Sequence, residues 1–329
     1  MKISVAELTN LTRKALAHYG YDENEIEVIS EVLLYAQLRG NNQGVVKLIG
    51  KGLPKDVRAG EMKIERETKL SALLNGNHNQ GMVVMKKALG MVLAKAKEHG
   101  FGIVGTNHTA SSTGAIGYYA EQIARQGYIG WVFAGSPPTV TTHGSYEALF
   151  GTNPLAIGIP TKGEPLVLDM ATSAMAYFGL VQAKTAGQTI PGDVAYDSEG
   201  NLTTDPAKGM EGAIRPFDRS HKGAGLGLMV EVLTGPLVGA SFVGLGGNQD
   251  WGNLLYVMDP ELLVDREKFI SETTQLVERV KNAKRLEGVE EIFLPGERGN
   301  RLAAQHLKTG QIEVEDNLLA GLRQVAGKV

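Results

Sequence analysis

The sequence predicts an α/β protein, and three observations predict it. Helical periodicity dominates both ends of the chain. Between residues 100 and 260, strand-like apolar runs alternate with glycine-rich turns and helices. Of the 329 residues, 43% are hydrophobic and only 12 are proline, so the chain can bury a large core. The expected division is a helical N-terminal part, residues 1–72, an α/β core, 73–260, and a helical C-terminal part, 261–329.

The elements follow in order. Ser4 stands where it can cap a helix over 5–18. Ile29, Val32, Leu33 and Ala36 fall on one face of a second helix, which Gly40 stops. Residues 83–99 form a third helix ended by Gly100, and 102–105 begin a strand. Runs 129–133, 155–159, 165–170 and 254–258 read as strands, with helices over 114–126 and 224–238 between them. Past Pro260 the pattern is helical again: 265–286 carries charge on one face, and the acidic stretch 313–316 leads into a last helix, 317–325.

Composition narrows the function. The 33 basic and 36 acidic residues leave a net charge of -3, which gives no general attraction to nucleic acid. With no cysteine there is no disulfide, thiolate ligand or cysteine nucleophile. No apolar run is long enough to cross a bilayer and no signal-peptide pattern opens the chain, so the expected address is the cytoplasm. The seven histidines (18, 78, 99, 108, 143, 221, 306) are scattered, and no metal site is expected. P-loop, nucleophile-elbow and zincin motifs are missing. The dinucleotide fingerprint G-x-G-x-x-G is missing too: residues 223–227 have the wrong spacing and 244–247 precede no convincing helix.

Six segments nevertheless carry more glycine and polar side chains than folding requires: 38–44, 106–109, 151–154, 168–173, 220–223 and 294–298. In this order and spacing they resemble the malate/L-lactate dehydrogenase family, which lacks a Rossmann domain and includes sulfolactate, ureidoglycolate and diketogulonate dehydrogenases and cyclic-imine reductases. The most specific pieces are GTNPLAIGIPT (151–161), LDMATS (168–173) with GNLTTDP (200–206), and SHKGAGLGLMVEVLTG (220–235). The resemblance spans nearly the whole chain. It implies a non-Rossmann mixed-sheet core that binds NAD or NADP, a helical domain built from both chain ends, and an interleaved homodimer. It also implies hydride transfer between nicotinamide and a small 2-oxo or 2-hydroxy acid, or reduction of a cyclic imino acid.

The cofactor site implied by the family lies at Met170, Ala171, Thr172 and Ser173, at Lys222 and Gly223, and at Gly296, Glu297 and Arg298. The residue types suit it: Thr172 and Ser173 follow an apolar strand, and Lys222 opens a helix whose N-terminus attracts a pyrophosphate. A helix cap and a solvated lysine are the plainer readings of each taken singly.

The substrate side departs from the family, whose usual form is Ser-His-Gly-Val with an Arg two positions later. Here the matching residues are Asn42, Gln43, Gly44, Val45 and Lys47. Gln43 can hydrogen-bond but cannot deliver a proton, and Lys47 keeps a positive charge without the guanidinium fork. A second family histidine, aligned through Gly114–Tyr118, becomes Ser112. His108 is then the nearest imidazole and the candidate acid/base, with a structural loop histidine as the alternative. Ser112, Ser136 and His143 are further substrate-side candidates. These departures keep two other functions open, a nucleotide-binding protein without catalysis and a structural oligomer.

Overall fold

The computed structural model describes residues 1–243 and 250–328, so the glycine-rich stretch 244–247 lies outside the described residues. The N-terminal part holds strand β1 (Lys2–Ser4) and helices α1 (Val5–His18) and α2 (Glu23–Leu38). Ser4 Oγ accepts the Glu7 N–H at the start of α1, and Asp22 with Glu25 forms a reciprocal capping box on α2. Ile29, Val32, Leu33 and Ala36 are all fully buried on the inner face of α2.

Next come β2 (Lys63–Glu67), β3 (Ser71–Asn75), α3 (Gly81–His99), β4 (Phe101–Thr109), α4 (Gly117–Ala124), β5 (Ile129–Ala134), β6 (Leu155–Ile159) and β7 (Leu166–Met170). A smaller lobe contains α5 (Tyr177–Thr185), β8 (Ala195–Tyr196), α6 (Pro206–Glu211) and β9 (Ala213–Ile214). The chain then returns through α7 (His221–Thr234) and β10 (Trp251–Met258), and ends with α8 (Arg266–Lys281), α9 (Glu297–Thr309), β11 (Gln311–Glu313) and α10 (Asp316–Ala326).

Seven strands form one mixed sheet in the order β2-β3-β4-β10-β5-β6-β7. Only the β3–β4 pair is parallel; the other five neighbouring pairs are antiparallel. Because side chains alternate along a strand, adjacent residues supply different cores. Val132, Ala156 and Leu255 face the core shared with α2, α3 and α4, while Phe133, Leu155 and Leu254 face Val230 of α7 and Val238. The antiparallel registers leave the carboxyl ends of β4, β5 and β7 on one edge of the sheet.

The two ends of the chain close on each other. β1 pairs with β11, and the N-terminal amine meets Asp316 at 2.7 Å. The sheet starts earlier than residue 73, since β2 and the first residues of β3 lie in the part expected to be helical. The helix expected over 224–238 stops at Thr234, because Gly235 and Pro236 break it and a 3-10 turn, Pro236–Val238, follows. The helix expected from 114 starts at Gly117: Gly114 sits at φ +73°, and a Cβ there would lie 2.4 Å from Val32 Cγ1. The helix expected over 265–286 ends at Lys281. Among the described residues, no helix is long and apolar enough to cross a membrane.

Candidate active site

A cleft of about 700 Å³ opens where residues 39–42 after α2, residues 167–169 of β7, and the segment from Phe293 to Asn300 come together. Arg39 fastens these pieces. Its guanidinium lies 3.6 Å from the Tyr35 ring centre, donates to Asn300 Oδ1 at 3.1 Å and pairs with buried Glu121 at 3.1 Å. Tyr35 OH donates to the same Glu121 carboxylate. The end of α2 is thereby tied to α4 and α9.

Asp169 forms the inner wall. Its Oδ2 accepts the Gly117 N–H at 2.8 Å, and a Cβ at Gly117 would come equally close to that oxygen, so only glycine permits the approach. Water reaches Asp169 through the cleft, but protein surrounds it. Burial therefore raises its carboxyl to about 6, against the opposing pull of the Gly117 N–H.

The outer wall is the start of α9. Gly296 precedes it at φ +81°, with no side chain capping the helix, and Gly296, Arg298 and Gly299 all line the cleft. The first N–H groups of α9 thus stand beside Arg298. Glu297 turns away from the cleft, pairing with Lys281 at 2.6 Å and Arg301 at 2.7 Å and accepting the Leu294 N–H. Burial works to raise its carboxyl, but these donors together hold it below its usual range.

The start of α7 is built differently. Ser220 Oγ accepts the Lys222 N–H, and Asp218 accepts both the Ser220 hydroxyl and the Gly223 N–H. The Ser220 hydroxyl is the main reason the Asp218 carboxyl lies low. A Cβ on Gly223 would stand 2.4 Å from Asp218 Oδ1, so this glycine makes room for the chain's own carboxylate. Lys222 is exposed, as are His221 and His143, whose rings lie 6.2 Å apart.

Between these helices, Met170 ends β7 opposite Leu155, and Ala171 leads into buried Thr172 and Ser173. Thr172 Oγ1 donates to the carbonyls of Thr152 and Asn153 at 3.2 Å, and Ser173 Oγ donates to Met175 O at 2.7 Å. Ser136 Oγ accepts the Thr152 N–H at 3.0 Å. These hydroxyls fix the 151–153 turn against the end of β7.

The acid/base candidates sit apart. His108, at φ +46° near the end of β4, is 44% exposed, with Nδ1 3.4 Å from Asp250, and does not line the cleft. Ser112 Oγ accepts the Gly114 N–H. Asn42 lines the cleft, and Gln43 donates to its Oδ1 at 3.3 Å. Lys47, in the 3-10 turn Val45–Leu48, is only 2% exposed; its Nζ has no hydrogen-bond partner and lies 3.6 Å from the Phe178 ring centre. Burial brings its pKa down to about 7.

Arg39 and Asp169 lie inside segments that the sequence singles out, 38–44 and 168–173, but neither was assigned a role, and Asp250 was not picked out at all. Asp169 carried a signal: an acidic residue inside an apolar strand is unusual unless it has work to do. The roles of the other two could not be read, because their partners are distant in the chain.

Among the described residues, no cluster of three or more acidic residues and histidines can hold a metal ion. The family model for malate/L-lactate dehydrogenase matches residues 3–323. L-Sulfolactate dehydrogenase of Methanothermobacter thermautotrophicus is 35% identical over 338 residues, 99% of this chain and 96% of that protein. Ureidoglycolate dehydrogenase (NAD(+)) of Escherichia coli K12 is 31% identical, covering 90% of this chain and 88% of that one. The solved malate dehydrogenase of Pyrococcus horikoshii superposes with a TM-score of 0.88 at 30% identity, over 99% of this chain and 95% of its own. The chain belongs to the malate/L-lactate dehydrogenase family and is, as the family is, a nicotinamide-dependent oxidoreductase.

Proposed function

We propose that this protein reduces a small 2-oxo acid, or oxidises the matching 2-hydroxy acid, with NAD or NADP held in the cleft between Asp169 and α9. The carrying observation is the cleft itself, where Asn42, Asp169, Gly296 and Arg298 converge from three distant parts of the chain. A dinucleotide fits this lining: α9 offers uncapped N–H groups and the Arg298 charge to phosphate, and Gly296 keeps that approach open. When bound, the nicotinamide supplies or accepts the hydride. Met170, Ala171, Thr172 and Ser173 continue the β7 wall beyond Asp169 and are assigned to the cofactor from outside the cleft lining, while Glu297 holds α9 in place through Lys281 and Arg301. Lys222 and Gly223 are assigned a lesser part, because Asp218 already takes the donors of α7.

On the substrate side, Asn42 and Gln43 orient the oxo acid from the rim, with Ser112, Ser136 and His143 as outlying polar contacts. Substrate carboxylate specificity then differs from that of relatives with histidine at position 43. The functional unit in this proposal is a cytoplasmic homodimer, supported by Leu228, Met229 and Val232 exposed together on α7 and by Leu237 just beyond it.

Nicotinamide fluorescence on titration with NADH and NADPH, followed by turnover of pyruvate, oxaloacetate, sulfopyruvate, oxalurate and a cyclic imino acid, tests the reading. Tight nucleotide binding with turnover of at least one oxo acid is expected. Binding without any turnover would leave a nucleotide-binding protein, and neither would leave a structural one.

A further inference from the structure

We infer that the cleft takes NAD(H) in preference to NADP(H) and that Asp169 sets the preference, an inference that rests on the proposed binding of a nicotinamide dinucleotide there. The two cofactors differ at one place. Where NAD(H) has a hydroxyl on its adenosine ribose, NADP(H) has a phosphate monoester, which carries about 1.5 to 2 negative charges at pH 7. A site for that phosphate needs a cation to spare, and the cleft has none left once the pyrophosphate is bound.

The cations around the cleft are committed. Arg39 pairs with buried Glu121 at 3.1 Å, and Arg125 behind it shares that carboxylate and meets Glu164 as well. Lys281 stands 2.6 Å from both Glu291 and Glu297, and Arg301 pairs with the same two. Among the described residues, Arg298 is the one cation of the lining without a carboxylate partner; its guanidinium lies 5.6 Å from the centre of the half-exposed Phe293 ring. The pyrophosphate, which both cofactors share, takes Arg298 and the uncapped start of α9. Lys222 is outside the lining, on the helix start that Asp218 already occupies.

Asp169 opposes a further phosphate. Among the described residues it is the one carboxylate of the lining, and the Gly117 N–H is its one donor, so acceptor capacity is left open to the cleft. Only that N–H acts against the burial that raises its carboxyl to about 6; no cation neutralises it, and at pH 8 it is ionised. A carboxylate accepts hydrogen bonds and donates none. It can accept from a ribose hydroxyl of NAD(H), whereas the phosphate of NADP(H) brings it a like charge. A phosphate held within a cleft of about 700 Å³ stays in reach of that repulsion, since charges are screened only over about 10 Å at 0.1 M salt.

Fluorescence titration of the wild type with NADH and with NADPH at pH 8 reads the preference without turnover. NADH should bind tighter by more than about tenfold. Asp169→Asn keeps an oxygen for the Gly117 N–H and loses the charge, so it should cut the preference to about threefold or less, chiefly by tightening NADPH. The wild type alone gives a second reading, because raising salt from about 0.05 to about 0.5 M should narrow a preference set by charge. Equal or tighter binding of NADPH by the wild type overturns the inference. A preference that salt leaves unchanged overturns it as well, as does one that survives in folded Asp169→Asn, since shape would then be its cause. Loss of NADPH alone in Arg298→Ala, with NADH unaffected, would overturn it by making Arg298 the holder of the extra phosphate. A wild type that binds neither nucleotide overturns the proposed function and this inference together.

Discussion

The starts of helices α7 and α9 are the same kind of structure put to opposite use. Both stand beside β7 or the turn that leaves it, α9 through Gly296 against Val167 and α7 through the Phe217 N–H on Thr172 O, and both bring a basic residue, Lys222 or Arg298, into the first turn. At α7 the donors are taken by Ser220 and the Asp218 carboxylate. At α9 no side chain caps the helix, and its first turn lines the cleft. A helix N-terminus attracts an anion through those N–H groups that remain unclaimed. At α9 the Glu297 N–H is taken by Leu294 O but no side chain caps the turn, so the proposed function makes the motif Ser220-His221-Lys222-Gly223 the weaker of the two anion sites.

The sharpest way to break this comparison is to remove each cation in turn. Arg298→Ala should weaken binding of NADH or NADPH by more than about tenfold, roughly 1.4 kcal/mol, and Lys222→Ala by less than about threefold. Isothermal titration of both variants, with thermal melts to confirm folding, decides it; the reverse order would move the phosphate site to α7. A smaller effect is expected at the paired histidine. His108→Gln should change kcat by less than about tenfold, below the usual contribution of a general acid or base. A loss of about 10³ together with loss of a neutral pH limb would give the proton-transfer role to His108.

Most of the fold was legible because its signals are local. The Ser4 cap, the buried stripe of α2 and the left-handed Gly100 that ends α3 need only a few neighbouring residues to be recognised. Strands β5, β6 and β7 were legible as apolar runs, and their boundaries shifted by no more than a residue. What could not be read was pairing. β2 is exposed along its whole length, so no apolar pattern announced it as an edge strand. The site divides in the same way. Asn42, Gly296 and Arg298 came from motif order, but their meeting with Asp169 depends on Arg39 joining α2 to α4 and α9 across 82 and 261 residues. Nor can a motif show that Asp218 folds back on the helix start that follows it.

Leaving charges without partners in the cleft has a cost in stability, and Asp169 is where it can be measured with least disturbance. Its folded-state pKa is raised, to about 6 from an ordinary 3.8, so the native state holds this proton more tightly than the unfolded chain does. The resulting stability is fully present below the unfolded value and is lost as pH rises through about 6. Full desolvation over that interval would be worth about 3 kcal/mol. The carboxylate is open to water in the cleft, which cuts the difference to about 1 kcal/mol. Asp169→Asn keeps an oxygen to accept the Gly117 N–H but cannot ionise. It should therefore raise Tm by about 1–2 °C near pH 8 and leave it almost unchanged near pH 4. Melting curves of the two proteins at both pH values check this. An equal shift at both would mean that shape rather than charge sets the effect, and a lower Tm at high pH would mean that ionised Asp169 is held by a cation of the cleft, with Arg298 the first to test.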